Sequence, residues 1–202
     1  MRAAAPGWPA TLSGRLSDGG AVRLRPLARH DAETYIRLRI DNAEWLQPWE
    51  ATTPTGARPR TYAAMRRSLA TEAKAGRALP FAVDVDGELS GQVIGSVQRG
   101  SFLSCSVGYW VAERVAGRGV APLAVALVGD HALGPAGLHR LEADIRPENT
   151  ASLAVARKLG LRDEGTRPRL LHIDGAWRDH RCFAVTAEEI GPGGLLGRLN
   201  HQ

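Results

Sequence analysis

Apolar residues along this chain fall into short alternating runs and longer helical ones. Thr11 to Leu27 alternates on both sides of Ser17-Asp18-Gly19-Gly20, which predicts two short strands joined by a hairpin turn. Tyr35, Ile36, Leu38 and Ile40 partly share a helical face, and Asp31 is placed to cap that helix. Thr61 to Ala75 predicts a second helix with Tyr62, Met65 and Leu69 on one side and Gly76 as its stop. Phe81, Val83 and Val85 then alternate into Asp86-Gly87, a hairpin signal, and Leu89 to Gln98 forms the returning strand. A third antiparallel strand follows Gly100 and carries Val107, Tyr109 and Val111 on one face. Val120, Leu123, Ala124, Leu127 and Val128 recur at helical spacing, and Leu141, Ala143 and Ile145 at strand spacing. Asn149 to Leu159 is a capped helix stopped by Gly160, and Leu171 to Val185 alternates about a turn at Asp174-Gly175. This order of elements predicts a mixed α/β sheet.

The change of period between Val107 and Ala126 is the most informative stretch: a strand runs into Arg114-Val115-Ala116-Gly117-Arg118-Gly119 and then into a helix. Glycines there let amide N–H groups approach a ligand, and a helix start adds unpaired N–H groups and the positive end of its dipole. With Arg114 and Arg118 alongside, the expected guest is an anion, a pyrophosphate first of all. A Walker loop would need a lysine that this stretch lacks, and a dinucleotide fingerprint would need a glycine where Pro122 stands.

What the stretch does match is R/Q-x-x-G-x-G/A, through Arg114, Gly117 and Gly119. Leu138 to Leu161 (L-H-R-L-E-A-D-I-R-P-E-N-T-A-S-L-A-V-A-R-K-L-G-L) and Ile173 to His180 (I-D-G-A-W-R-D-H) follow in order. On these motifs the chain resembles the GCN5-related N-acetyltransferases (GNAT), in particular the ribosomal-protein-alanine (RimJ/RimL) branch, from about Val22 to Glu189.

The resemblance implies the GNAT fold, a mixed and mostly antiparallel sheet with about four helices and a splayed central strand pair. It implies acetyl-CoA as cofactor, held by Trp110, Val111, Ala112, Arg114, Ala116, Gly117, Arg118, Gly119, Val120, Ala121, Asn149 and Ser152. Acetyl transfer to an amine needs a neutral nucleophile, a proton acceptor, a donor for the oxyanion and a proton for the departing thiolate. An α-amine with a pKa of about 8 is roughly 10% neutral at pH 7, against roughly 0.04% for lysine, so an N-terminus is the milder substrate. Glu142 and Asp144 share a face of their strand with Arg140 and Arg146; they read equally as proton acceptors, Glu142 first, or as solvated ion pairs. Relatives that carry a tyrosine on the last helix use it as the acid, but Ala151 to Leu159 has none, and in this branch Ser152 takes the role. Asn149 serves as a helix cap and, by the resemblance, as a pantetheine ligand.

For the acceptor, the proline-interrupted loop Asn42 to Pro59 offers Trp45, Trp49 and Glu50, which read as a recognition wall or as plugs of the core. Asp144, Trp177 and Asp179 join them by the resemblance, which makes a protein N-terminus, plausibly an N-terminal alanine of a ribosomal protein, the expected partner. Acetylation of a polyamine or aminoglycoside, and CoA binding without turnover, are the rival readings.

Composition adds bounds. The 202 residues suit one domain, expected over 11–190 between a loose start at 1–10 and a flexible tail at 191–202. Leu195, Leu196 and Leu199 give that tail a helical spacing, so it reads as a frayed helix or as a contact with a partner such as a second copy of the chain. A net charge of +5, almost all of its basic side carried by arginine, suits CoA, and no aromatic-and-basic nucleic-acid motif accompanies it. Cys105 and Cys182 stand alone, with no zinc or other metal spacing and no disulfide framework. No signal-peptide stretch or membrane-length apolar run is present, so a cytoplasmic protein is expected.

Overall fold

Eight strands form one sheet in the computed structural model, which describes residues 8–55 and 61–200. They are β1 (Leu12–Arg15), β2 (Ala21–Pro26), β3 (Ala78–Val85), β4 (Glu88–Gln98), β5 (Ser104–Val111), β6 (Arg140–Ile145), β7 (Arg162–Ile173) and β8 (Ala176–Thr186). Their order is β1-β2-β3-β4-β5-β6-β8-β7. Every neighbouring pair is antiparallel except β5 and β6, which run parallel. The hairpin turns fall where the sequence puts them: Asp86 and Gly87 both take positive φ (52° and 87°), as do Asp174 and Gly175 (48° and 75°).

The helices are α1 (Ala32–Asp41), α2 (Ala43–Leu46), α3 (Tyr62–Lys74), α4 (Val120–Leu133), α5 (Thr150–Lys158) and α6 (Gly194–Asn200). α4 is apolar on nearly every side and is the most deeply buried of them, from Val120 to Ala132. β3 is buried along its whole length, which accounts for the apolar run from Ala78 to Val83; the buried Asp84 that follows accepts from Arg25 (2.7 Å).

There are six α-helices among the described residues against the four expected: α2 is too short to show a period, and α6 realises the helical spacing of Leu195, Leu196 and Leu199 as a short helix held by tertiary contacts. α2 lies within the loop from Asn42, turns directly into a 3-10 turn at Gln47–Trp49, and buries Leu46. α6 replaces much of the tail expected to be flexible: Leu195 is fully buried in the core, and the N–H groups of Leu195 and Leu196 donate to the Asp130 carboxylate (2.6 and 3.1 Å). At the other end Trp8 stands edge-on to Phe81, with ring centroids 5.2 Å apart, so residues 8–10 are not loose either. The rest of the expected loose start, 1–7, and the loop residues 56–60 lie outside the described residues. Asp31 precedes α1 but does not cap it with its side chain; its carboxylate accepts from the Ala28 N–H (2.7 Å) and from Arg25 (2.8 Å). No helix among the described residues is long and apolar enough to cross a membrane.

What positions the site is a break in the sheet. β5 and β6 pair only at Ser104–Arg140, Cys105–Leu141 and Ser106–Glu142. Beyond Ser106 the two strands run on without pairing, which leaves the edge of β5 from Val107 to Val111 unmatched on that side.

Candidate active site

The strand-to-helix loop is built as its glycines require. After a 3-10 turn at Glu113–Val115, Gly117 and Gly119 adopt φ of 78° and 88°, and Gly119 is the residue before α4. A Cβ on Gly119 would meet only Leu16 Cδ2, at an ordinary 4.0 Å, so backbone conformation rather than crowding reserves the position for glycine. The first bond of the α4 ladder runs from the Leu123 N–H to the Gly119 carbonyl (3.2 Å), so the Val120 and Ala121 amides precede the ladder and point outward. Pro122 has no N–H to satisfy.

Ala116, Gly117, Gly119, Val120 and Ala121 line one end of a cavity of about 1500 Å3. The cavity continues past Tyr109, Trp110 and Val111 of β5 and Asn149 and Ser152 of α5. It ends among Tyr35, Arg39, Trp45, Trp49, Glu50 and Gln92. It thus passes through the unpaired stretch of the sheet. The Ala112 N–H donates to the Ser90 carbonyl on β4 (2.7 Å), so by strand alternation the Val111 amide faces away from β4 and into the gap. Ala112 itself is fully buried and holds β5 to β4. On α5 the Asn149 Oδ1 accepts from the Ser152 N–H (3.0 Å), a helix cap that uses only the oxygen and leaves the side-chain N–H2 group for a ligand.

The two arginines of the loop are not aimed into the cavity. Arg114 donates to the Leu89 carbonyl (3.1 Å) and the Ser90 hydroxyl (3.0 Å), bracing the loop on β4. Arg118 donates to the Asp18 carboxylate (2.9 Å), an exposed pair on the β1–β2 turn. Of the two, Arg118 is the one whose present partner holds it weakly.

At the other end of the cavity the loop after α1 forms a wall. Trp45 Nε1 donates to the Val111 carbonyl (3.1 Å), tying α2 to β5. Arg39 lies over the Trp110 ring at 5.1 Å and pairs with Glu50, which is the one carboxylate among the lining residues. The same loop is fastened to the β7–β8 hairpin and to β6. The Thr52 N–H donates to the His172 carbonyl (2.8 Å), Ala51 bridges Ile173, and Arg146 donates to the Pro48 carbonyl (2.6 Å) while lying over Trp49 at 5.5 Å.

The other expected acceptor and base residues stand apart from this cavity. Leu141, Ala143 and Ile145 of β6 turn into the core, so Glu142 and Asp144 face the opposite way. There Glu142 accepts from Arg140 (2.6 Å) and Asp144 lies 3.5 Å from Arg167. Asp179 accepts from the Arg169 N–H (2.7 Å) within the hairpin, and Trp177 is exposed against the His172 ring. None of the four lines the cavity.

Three groups that sequence reasoning did not single out do line it. Tyr35 donates to Gln92 Oε1 (2.9 Å) and stands edge-on to Trp110 at 5.7 Å. The Tyr109 hydroxyl is buried with no partner in hydrogen-bond geometry. Burial pushes it up to about 12, and the neighbouring Ser152 side chain acts in the opposite direction. The alternation Val107-Tyr109-Val111 puts Tyr109 on one face with its neighbours; what that face meets, Ser152 included, follows only from the three-dimensional fold.

A family model described as an acetyltransferase (GNAT) domain matches residues 21–162. The structure of Mycobacterium smegmatis RimJ in complex with CoA-disulfide is 41% identical, with a TM-score of 0.91 over 97% of this chain and 96% of that one. The [ribosomal protein uS5]-alanine N-acetyltransferase of Escherichia coli (strain K12) is 30% identical, over 81% of this chain and 86% of its own length. A probable N-acetyltransferase, YjcK of Bacillus subtilis (strain 168), is 29% identical over 83% and 94% respectively. A glycine-flanked helix start, a split between two parallel strands and these likenesses place the chain in the GNAT family of N-acetyltransferases.

Proposed function

We propose that this N-acetyltransferase uses acetyl-CoA to modify the α-amine of a protein N-terminus, with the N-terminal alanine of a ribosomal protein as the foremost acceptor. The observation that carries this reading is the single cavity running from the Gly117–Gly119 loop, through the gap between β5 and β6, to the aromatic wall at Trp45, Trp49 and Glu50.

The residues present fit the cofactor: outward amides and positive φ at the loop suit a pyrophosphate, and the free edge of β5 and the spare Asn149 amide suit a pantetheine arm. When bound, acetyl-CoA supplies an acetyl group already activated as a thioester. The Val111 N–H, aimed into the gap, is the donor available to the developing oxyanion. Ser152, backed by the protonated Tyr109 hydroxyl, supplies the proton path toward the departing sulfur. Glu50 is the carboxylate placed to hold the acceptor ammonium and take its proton. An α-amine asks little of that base, since roughly 10% of it is neutral at pH 7.

The test is release of free thiol from acetyl-CoA by the purified protein with peptides differing at the first residue, polyamines and aminoglycosides. Turnover confined to peptides with a free Ala or Ser terminus is the expected result. Turnover on polyamines alone moves the enzyme to small-amine chemistry, and binding of CoA with no turnover on any acceptor overturns the catalytic reading.

A further inference from the structure

Gln92 is 4% exposed in the middle of β4, directly across from Trp110, yet it lines the cavity. Its Oε1 accepts two bonds, from the Tyr35 hydroxyl at 2.9 Å and from Trp110 Nε1 at 3.4 Å. The orientation of this amide is fixed by chemistry. An indole N–H can only donate, so the atom facing it must be the oxygen, and turning the amide over would set donor against donor. Tyr35 in turn is held between Tyr62 and Trp110, with ring centroids at 5.1 and 5.7 Å. The Nε2 group is therefore held in place, and it is buried without a partner. A buried donor left unpaired is costly, and natural cores seldom leave one without a reason.

An N–H2 group cannot bind an ammonium; it needs an oxygen. It stands one strand position from the pair Gly91–Val111, whose Val111 amide faces the gap. On a peptide, the hydrogen-bond acceptor nearest to the α-amine is the carbonyl oxygen of the first residue. A polyamine has no such atom.

We propose that Gln92 is a specificity-determining residue, its Nε2 donating to the first carbonyl oxygen of the acceptor peptide and so selecting α-amines of peptides over plain alkylamines. This rests on the peptide reading given above. The Arg39–Glu50 pair beside it addresses the charge of the amine, and Gln92 addresses the atom that distinguishes a chain terminus from any other amine.

The test compares a short peptide with a free N-terminal alanine and the same peptide with sulfur in place of its first carbonyl oxygen, a weaker acceptor. The kcat/KM of both is followed by thiol release. In the wild-type enzyme the oxygen peptide is expected to be favoured about fivefold to tenfold, the worth of one neutral hydrogen bond. Gln92→Glu keeps the oxygen that Tyr35 and Trp110 bond to and, as the carboxylate, has no donor. It is expected to bring the ratio of the two peptides to near one, with the KM for acetyl-CoA unchanged. Gln92→Met removes the donor without adding a charge and gives the same comparison where the Glu variant does not fold. A variant that keeps the wild-type ratio, or a wild-type ratio already near one, overturns the proposal while leaving peptide acetylation intact. Failure of the wild-type enzyme to acetylate any peptide overturns both.

Discussion

The Tyr109 hydroxyl on β5 and the Ser152 side chain in the first turn of α5 lie against one another at the gap between β5 and β6, the former buried and without a geometric hydrogen-bond partner. A phenol held near 12 stays protonated across the working range of an enzyme, so it can donate to a sulfur that gains negative charge, or hold Ser152 while Ser152 does so. Tyr109→Phe and Ser152→Ala are each expected to lower kcat about 10- to 100-fold with little change in the KM for acetyl-CoA. If they act as one unit, the double variant falls no further than the worse single one. Steady-state kinetics of the three variants check this, and full additivity would separate the two roles.

The position of the carboxylates yields a second expectation. Glu50 lines the cavity, whereas Glu142 is bound to Arg140 on the far side of the alternation of β6. Glu50→Gln should lower kcat/KM on a peptide about 10- to 100-fold, and Glu142→Gln should leave it within about threefold. The opposite ranking would restore Glu142, the first choice on the alternation of its strand, as the proton acceptor.

Arg118 offers a test of the phosphate end. Its ion pair with Asp18 is exposed, and such pairs contribute about 0–1 kcal/mol. Arg118→Ala is therefore expected to leave the melting temperature within about 2 °C. The same change should weaken CoA binding about tenfold at low salt and by less at high salt. Asp18→Ala, which leaves the guanidinium with the longer Asp86 pair at 3.5 Å, should not weaken binding at all. Calorimetric titration with CoA at two ionic strengths measures both.

Stability should also respond to acid through Glu164. Arg140 and Arg162 hold its carboxyl at about 2, below the ordinary 4.5. A depressed carboxylate contributes stability that is complete above its unfolded value and is lost as pH falls toward the folded one. Because the group is near the surface, Glu164→Gln should lower the melting temperature by only about 1–4 °C at pH 7. By pH 3 more than half of that difference should be gone, since the window runs from 4.5 down to about 2. Melting curves of both proteins at pH 7, 4 and 3 test it.

Leu195 tests the fit of the chain end. Its side chain is fully buried, so Leu195→Ala should cost about 2–5 kcal/mol, although the residue lies outside the segment that carries the chemistry. Denaturant unfolding measures the loss, and a change under about 0.5 kcal/mol would mean that α6 contributes little in solution.

Local chemistry made much of this fold legible in advance. Asp86-Gly87 and Asp174-Gly175 announce their hairpins because few other pairs accept two successive positive φ values, and Gly117 and Gly119 announce the loop for the same reason. The helix at Ala43–Leu46 was not legible, since four residues carry too few turns for a period, whereas the leucine spacing at 195–199 announced α6 but not its burial in the core. The face that a strand residue occupies was legible as well, but not what that face meets. Alternation groups Glu142 with Asp144 correctly, yet only the point where β5 and β6 part, after Ser106, decides that the cavity opens beside Tyr109, Gln92 and Glu50 instead. Trp45 and Trp49, by contrast, do not plug the core: Trp49 is exposed, both line the cavity, and each ties two elements together.

The fastening of the acceptor wall to the β7–β8 hairpin has a consequence for how this enzyme could change. Thr52, Ala51 and Gln47 reach His172, Ile173 and Asp174, so the wall is braced by an external hairpin as well as by the Trp45–Val111 bond to β5. Substitutions at the hairpin tip can shift the wall while the Val111 amide, Ser152 and the glycine loop stay where they are. New acceptors can then be acquired without relearning the reaction, and a library confined to residues 170–178 is the economical place to look for them.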